Sequence, residues 1–131
     1  MMSDNIATVT QDGRAFAHCC LEPPKVWIYI QDTRNRSLTD AVSRCLAALM
    51  VDGAAVSLQP VQLAQQGPLV DEIRYFKKGD RTGALAIVGA LKRVLPRLGL
   101  RDLSREYDEV VWVEHGHYEL WLAPGERPKD H

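Results

Sequence analysis

The residues with the clearest capacity for chemistry form one short run near the C-terminus, residues 114–119, which reads EHGHYE. On a regular strand, side chains two positions apart point to the same side, so His115 and His117 have the spacing of two metal ligands. A third ligand would come from residues 18–20, which read His-Cys-Cys. Zinc sites with strong sequence signals contain two spaced ligand pairs, and this chain offers one. We therefore predict a strand bulge or local hydrogen bonds for these histidines, with metal as the alternative, and we predict no cofactor.

The three cysteines are the candidate nucleophiles. Cys45 falls on the buried side of a predicted helix, where a thiol behaves as a small apolar side chain. Cys19 and Cys20 lie beside His18, but no base held by a third group and no oxyanion site accompanies them. The chain also lacks a phosphate-binding loop, a dinucleotide-binding glycine motif, a nucleophile elbow and an HExxH zinc motif. We predict that the protein is not an enzyme.

The composition is that of one globular domain. The chain has 131 residues, of which 46% are hydrophobic and 25% charged, enough for a single core. A net charge of -1 provides no general attraction for nucleic acid or acidic membranes. No apolar run reaches the roughly 18 residues of a membrane span, and residues 1–11 lack the basic and apolar regions of a signal peptide. We expect a soluble, cytoplasmic protein that does not bind membranes.

Four stretches have the composition of strands. Residues 25–31 are rich in β-branched and aromatic side chains, and their alternation points Trp27 and Tyr29 away from the core. Residues 56–61 also alternate, and their proline predicts an edge strand or a bulge. Residues 72–76 place Ile73 and Tyr75 inward and Arg74 and Phe76 outward. Residues 109–122 form the last strand region, with a bulge or turn at Gly116.

Two stretches have helical spacing. The first begins at Ser37 as N-cap and ends at Asp52-Gly53, where glycine supplies a left-handed C-cap. The second begins at Asp80 as N-cap and ends near Pro96, and we attribute its glycines, Gly83 and Gly89, to tight packing on the sheet. The predicted buried stripes are Leu38, Ala41, Val42, Cys45 and Leu49 in the first helix, and Ala84, Ile87, Val88, Leu91 and Leu95 in the second.

The order strand, helix, strand, strand, helix, strand predicts an α+β fold. The simplest packing is a ferredoxin-like βαββαβ two-layer sandwich, with a mainly antiparallel four-stranded sheet and both helices on one face. Residues 25–124 form this domain. Residues 1–24 form an N-terminal arm that ends in a Pro-Pro pair and includes a possible edge strand, and residues 125–131 form a charged tail.

Three stretches carry a family resemblance: VWIYIQ at residues 26–31, EIRYF at residues 72–76 and GHYELWL at residues 116–122. In this order, with an amphipathic helix after each of the first two, they resemble a small bacterial α/β accessory module. That module is similar to the domain at the C-terminus of LytR-type cell-envelope proteins. The resemblance implies a binding or regulatory role, and it brings no catalytic residue.

The outward side of the sheet is the candidate site. The ferredoxin strand order would place Trp27 and Tyr29 beside Arg74 and Phe76, with Trp121 as a further member. Exposed aromatic residues with arginine are typical of protein interfaces, so we predict docking of a partner protein or of a second copy through this face or an edge strand.

Two alternatives stay open for the same face. In the first, the N-terminal arm covers it. In the second, its aromatic residues stack the bases of single-stranded nucleic acid, with phosphate contacts from Lys77, Lys78 and Arg81. The lack of the glycines of an RNA-recognition motif and the slightly negative net charge disfavour the second.

Overall fold

The computed structural model describes residues 23–124. The predicted arm, apart from its last two prolines, and the predicted tail lie outside the described residues, as do the candidate ligands and nucleophiles at positions 18–20.

The described residues form three helices and eight short strands. The helices are α1 (Arg36–Ala47), α2 (Arg81–Leu91) and α3 (Ser104–Tyr107). Single 3-10 turns, Thr33–Asn35 and Lys78–Asp80, lead into α1 and α2. The strands are β1 (Lys25–Ile30), β2 (Met50–Val51), β3 (Ala54–Ala55), β4 (Ser57–Leu58), β5 (Gln62–Leu63), β6 (Glu72–Tyr75), β7 (Gly99–Asp102) and β8 (His117–Trp121).

The main sheet has six strands in the order β4-β1-β8-β6-β7, and β5 continues the β4 edge along β1. β1 runs parallel to β4, β5 and β8, and β6 runs parallel to β7. Within this sheet, β6 and β8 form the antiparallel pair. The prediction of a mixed α+β fold is confirmed, and the prediction of a four-stranded, mainly antiparallel ferredoxin-like sheet is wrong.

The difference arises from β7, which lies between the predicted end of the second helix near Pro96 and the predicted last strand region, where no strand was expected. Residues 99–102 read Gly-Leu-Arg-Asp and lack the β-branched residues typical of strands. They pair with β6 nevertheless, and the Gly99 and Leu103 amides donate to the Asp71 and Tyr75 carbonyls at 3.0 and 2.9 Å. This strand converts β6 and α2 into a strand–helix–strand unit with a parallel crossover.

The structure therefore contains two such units, β1–α1–β4 and β6–α2–β7, with the last strand, β8, between them. Since β1 and β6 run in opposite directions and their partner strands lie on opposite outer sides, right-handed crossovers place both helices on the same face. α1 and α2 contact each other there. The inward residues of β1, β6 and β8 join both helices in one core, as predicted for Ile28, Ile73 and Tyr75.

The buried stripe of α2 is confirmed, with Val88 half-buried and Leu95 packed just beyond the helix end. In α1 the stripe is shifted. Val42 and Leu46 are its fully buried apolar residues, and Leu46 was missed in the sequence reading. The other predicted members of the α1 stripe pack at its margin and are half-buried.

The structure changes the role of three predicted helix-capping positions. Asp52 and Gly53, with φ of 52° and 80°, form the two-residue turn of the β2–β3 hairpin, a type I′ position that favours Asp-Gly. Ser37 lies inside α1 and is not its N-cap. Asn35 holds that position without a side-chain bond, and Asp32 caps the preceding 3-10 turn, where its carboxylate accepts from the Arg34 amide at 2.9 Å. Asp80 holds the predicted N-cap position of α2, but its carboxylate accepts from the Gly116 amide at 2.7 Å and from no amide of the helix.

Among residues 23–124, no helix combines the length and the apolarity that crossing a bilayer requires.

Gly83 and Gly89 make a matched test of packing within α2. A Cβ on Gly83 would overlap the Tyr118 hydroxyl and approach Val51 Cγ1 to 2.8 Å, whereas a Cβ on Gly89 would meet nothing within 4 Å. We expect Gly83→Ala to lower the free energy of unfolding by about 1–3 kcal/mol through overpacking. Gly89→Ala should raise it by about 0.5–1 kcal/mol through helix propensity. Urea unfolding of both variants measures the difference, and equal stabilities would contradict this account.

Candidate functional site

The candidate site is the side of the sheet opposite α1 and α2, which we call the outward face. Because β8 lies between β1 and β6, Glu119 is paired with Trp27 on one side and with Arg74 on the other. The predicted direct contact between the aromatic residues of the first strand and residues 74 and 76 is therefore wrong. The residues of the face are Trp27 and Tyr29 from β1, His117, Glu119 and Trp121 from β8, and Glu72 and Arg74 from β6.

Trp121 is the centre of this face. Tyr29 stacks on its ring, with centroids 4.3 Å apart and an interplanar angle of 13°. The Arg74 guanidinium carbon lies 4.5 Å from the same ring centroid. Since β1 and β6 flank β8 on opposite sides, the indole is enclosed between an aromatic ring and a cation. From the sequence Trp121 was only a further member of the face, whereas in the structure both Tyr29 and Arg74 contact its ring.

Glu119 holds the polar part of the face. One carboxylate oxygen accepts from Trp121 Nε1 at 3.0 Å and the other bonds His117 Nε2 at 3.0 Å. Burial alone would raise the pKa of Glu119, but the hydrogen bonds from His117 and Trp121 hold it below its ordinary value. This role was missed, although the spacing His117, Glu119, Trp121 on one strand places all three side chains on one side.

An ion pair with Glu72 fixes Arg74. Arg74 Nε donates to Glu72 Oε2 at 2.6 Å, and Arg101 Nη1 lies 3.9 Å from the same oxygen. Glu72 is buried, so water screens this pair less than a surface pair. Arg74 is thereby held between a carboxylate and the Trp121 ring.

Phe76 and Trp27 lie towards the start of β8. Phe76 is only 8% exposed, and its ring makes edge contacts with Tyr107 and His117 at 5.3 Å each. It therefore faces outward as predicted but is covered by the end of α3. Trp27 lies 6.1 Å from His117, ring to ring. Its indole N–H is buried and has no hydrogen-bond partner among residues 23–124.

Lys77 is not available for the predicted phosphate contacts. It is 4% exposed, and its ammonium donates to the carbonyls of Tyr107, Asp108 and Val110 at 2.9, 2.8 and 2.8 Å. Lys78 is exposed, and Arg81 donates to the Tyr75 hydroxyl at 3.0 Å. The structure does not gather these three cations into one patch on the outward face.

The two histidines are not a ligand pair on one strand. Gly116 has a φ of 77°, which turns the chain just before β8 begins at His117. His115 is therefore exposed outside the strand, whereas His117 is half-buried against Glu119. Within the described part of the chain, no group of three His, Cys, Asp or Glu side chains is arranged to hold a metal ion. Cys45 is a half-buried free thiol against the core.

Buried polar side chains away from the outward face are engaged with the ends of β8. Asn35 Nδ2 donates to the Ala123 carbonyl at 2.9 Å, and Asp71 accepts from the Ala123 amide at 2.8 Å. At the other end Asp80 accepts from Gly116, and burial raises the pKa of this carboxyl. These contacts indicate a structural role for all three residues.

Comparisons of the chain with protein-family models, with curated proteins and with solved structures found no match. The resemblance to LytR-type C-terminal domains stays a prediction, and the candidate site rests on its own geometry.

Glu119 makes stability depend on pH in a defined direction. Because its folded pKa lies below the unfolded value, its contribution is present above the unfolded pKa and is lost as the pH falls through the folded pKa. Glu119→Gln should therefore unfold at a lower temperature than wild type at about pH 7, and the difference should shrink by about pH 3. Glu109→Gln, at an exposed position, should unfold as wild type does at both values. A Glu119→Gln difference that is constant with pH would contradict the role of the carboxylate.

Lys77 and Lys78 form a matched pair for a test by thermal unfolding. Lys77→Met removes the ammonium donor from three carbonyls. Those of Tyr107 and Val110 keep a backbone amide donor, whereas among residues 23–124 that of Asp108 is left without one. A buried polar group left unpaired costs about 1–3 kcal/mol, and we expect a loss of stability in that range. Lys78→Met should have little effect, because the side chain is exposed and only its backbone amide bonds Asp108. Equal stability of the two variants would show that the Lys77 ammonium is dispensable.

Proposed function

We propose that this protein is a non-enzymatic interaction module that docks a partner protein, or a second copy of itself, through the outward face. The observation that carries the proposal is the stack of Tyr29, Trp121 and Arg74 on the side of the sheet opposite α1 and α2. Tryptophan, tyrosine and arginine are the residues that most often dominate the energetics of protein interfaces.

The face is pre-organised, which favours binding. Its side chains are half-buried and held by the Glu119 and Glu72 bonds. A partner would therefore lose little side-chain entropy in ordering them.

An open sheet edge is the other predicted docking site, and the face is the better supported of the two. Among the described residues, β7 pairs on one side only, with β6. It is short and carries Arg101 and Asp102, both exposed. Charged residues on a short edge strand discourage the addition of another strand.

The accessory-module resemblance agrees with this proposal, since it implies binding or regulation rather than catalysis. For nucleic acid, by contrast, no contact of residues 23–124 adds support. Lys77 is sequestered on three carbonyls, and both sides of the Trp121 ring are already occupied.

The test compares two double variants of the full chain. Trp27→Ala/Arg74→Ala removes two half-buried side chains of the face, and Leu85→Ala/Arg93→Ala removes two exposed side chains of the helix layer. Phe76 is left intact because its burial would confound binding with folding. We expect the face variant to weaken a partner at least about tenfold, as loss of an interface centre does, and the helix-layer variant to bind as wild type.

The partner is obtained by affinity purification of the tagged protein from its source cells, with and without nuclease, and its dissociation constant is then measured in purified form. Near-ultraviolet circular dichroism checks that both variants fold. Wild-type affinity of the folded face variant would overturn the proposal. A protein recovered alone in both arms would leave a second copy as the partner, and a monomer in analytical ultracentrifugation would then overturn the proposal. Recovery of nucleic acid whose digestion strips the complex would favour the nucleic-acid alternative instead.

A further inference from the structure

A tight turn before β8 exposes two large apolar side chains. The Val113 amide donates to the Val110 carbonyl at 3.2 Å, so Val111 and Trp112 occupy the corner of this turn. They are 88% and 81% exposed. Turn corners are dominated by Gly, Pro, Asn, Asp and Ser, and an adjacent valine and tryptophan leave an apolar surface that folding does not use.

The turn stands on a fixed base. The Lys77 ammonium binds the carbonyls of Asp108 and Val110, and the Val110 amide donates to Tyr107 at 3.0 Å. The backbone from Tyr107 to Val110, which leads into the turn, is thus held by several hydrogen bonds. A fixed presentation lowers the entropy that binding would remove.

An acidic cleft lies against the same loop. It is open, has a volume of about 550 Å³, and contains four carboxylates and two cations. Glu106 and Glu109 are exposed. The lining residues are Lys78, Asp102, Ser104, Arg105, Glu106, Asp108 and Glu109.

We propose that the Val111–Trp112 turn and this cleft together form a docking surface for a basic segment of a partner protein. Lysine or arginine side chains of the segment enter the cleft, and one large apolar side chain packs on Trp112. The carboxylates favour a basic protein segment over nucleic acid or an anionic membrane, because they repel phosphates and anionic lipid headgroups. This surface is distinct from the outward face and does not depend on its role.

Random linear peptides displayed on phage, selected against the immobilised full chain, provide the probe. We expect the enriched peptides to combine lysine or arginine with an aromatic or long aliphatic residue, and their affinity to fall with added salt. Trp112→Ala should weaken an enriched synthetic peptide at least about tenfold, as truncation of a tryptophan anchor does. Glu106→Lys/Glu109→Lys should also weaken it. Fluorescence anisotropy gives the dissociation constants.

Two variants serve as controls. Leu69→Ala removes another side chain of similar exposure, 84%, from the opposite end of the sheet, and should leave peptide binding unchanged. Trp27→Ala/Arg74→Ala should also retain it, which separates this surface from the outward face. Enrichment of acidic or uncharged peptides, the absence of any enrichment, or equal affinity for wild type and Trp112→Ala would overturn the proposal. Trp112-dependent sedimentation with phosphatidylserine vesicles would overturn it in favour of a membrane.

Discussion

The position of β8 is the constraint on which the rest of the structure depends. It is the last strand among residues 23–124, yet it lies in the middle of the sheet. It joins the two strand–helix–strand units, whose described strands do not pair with each other directly. Buried polar groups of both units bind its ends: Asn35 from the first, and Asp71 and Asp80 from the second. The raised pKa of Asp80 reflects the burial of its carboxyl. The contact with Gly116 offsets that penalty and fixes where β8 begins.

The same insertion creates the outward face. Tyr29 and Arg74 belong to different strand–helix–strand units, and both contact the Trp121 ring because β8 lies between their strands. On the other side of the strand, Tyr118 fills the space beside Gly83, so the position of α2 and the arrangement of the face are set by alternate residues of one strand. A change in the register of β8 by one residue would exchange its two faces. The polar contacts at its ends oppose that slip.

Sequence patterns predicted which residues of β1, β6 and α2 face the core. The alternation in β1 and β6 and the apolar stripe of α2 identified their core-facing residues, because hydrophobic periodicity can be recognised from neighbouring residues in the sequence. β7 could not be found this way, since its Gly-Leu-Arg-Asp sequence becomes a strand only by pairing with β6. Without β7 the second crossover is lost, and a ferredoxin-like order becomes the simplest remaining arrangement.

The geometry of the candidate site was likewise predictable only where it depends on residues that are close in sequence. The direction of Trp27, Tyr29 and Arg74 followed from alternation, but their neighbours depended on strand order. Lys77 was offered as a phosphate contact, and nothing nearby in sequence indicates the carbonyls of residues 107, 108 and 110 that bind it. The prediction that His115 and His117 share one side of a strand was wrong, because Gly116 between them has a positive φ and interrupts the regular strand.

The outward face and the Trp112 turn are connected by direct contacts. Tyr107 packs on Phe76, Phe76 packs on His117, and His117 bonds Glu119. A chain of contacts does not by itself transmit a signal; that requires an element with two arrangements that both sites bias. These contacts link the two surfaces through packed and hydrogen-bonded side chains. A partner that touched both surfaces would gain affinity through the raised effective concentration of its second contact.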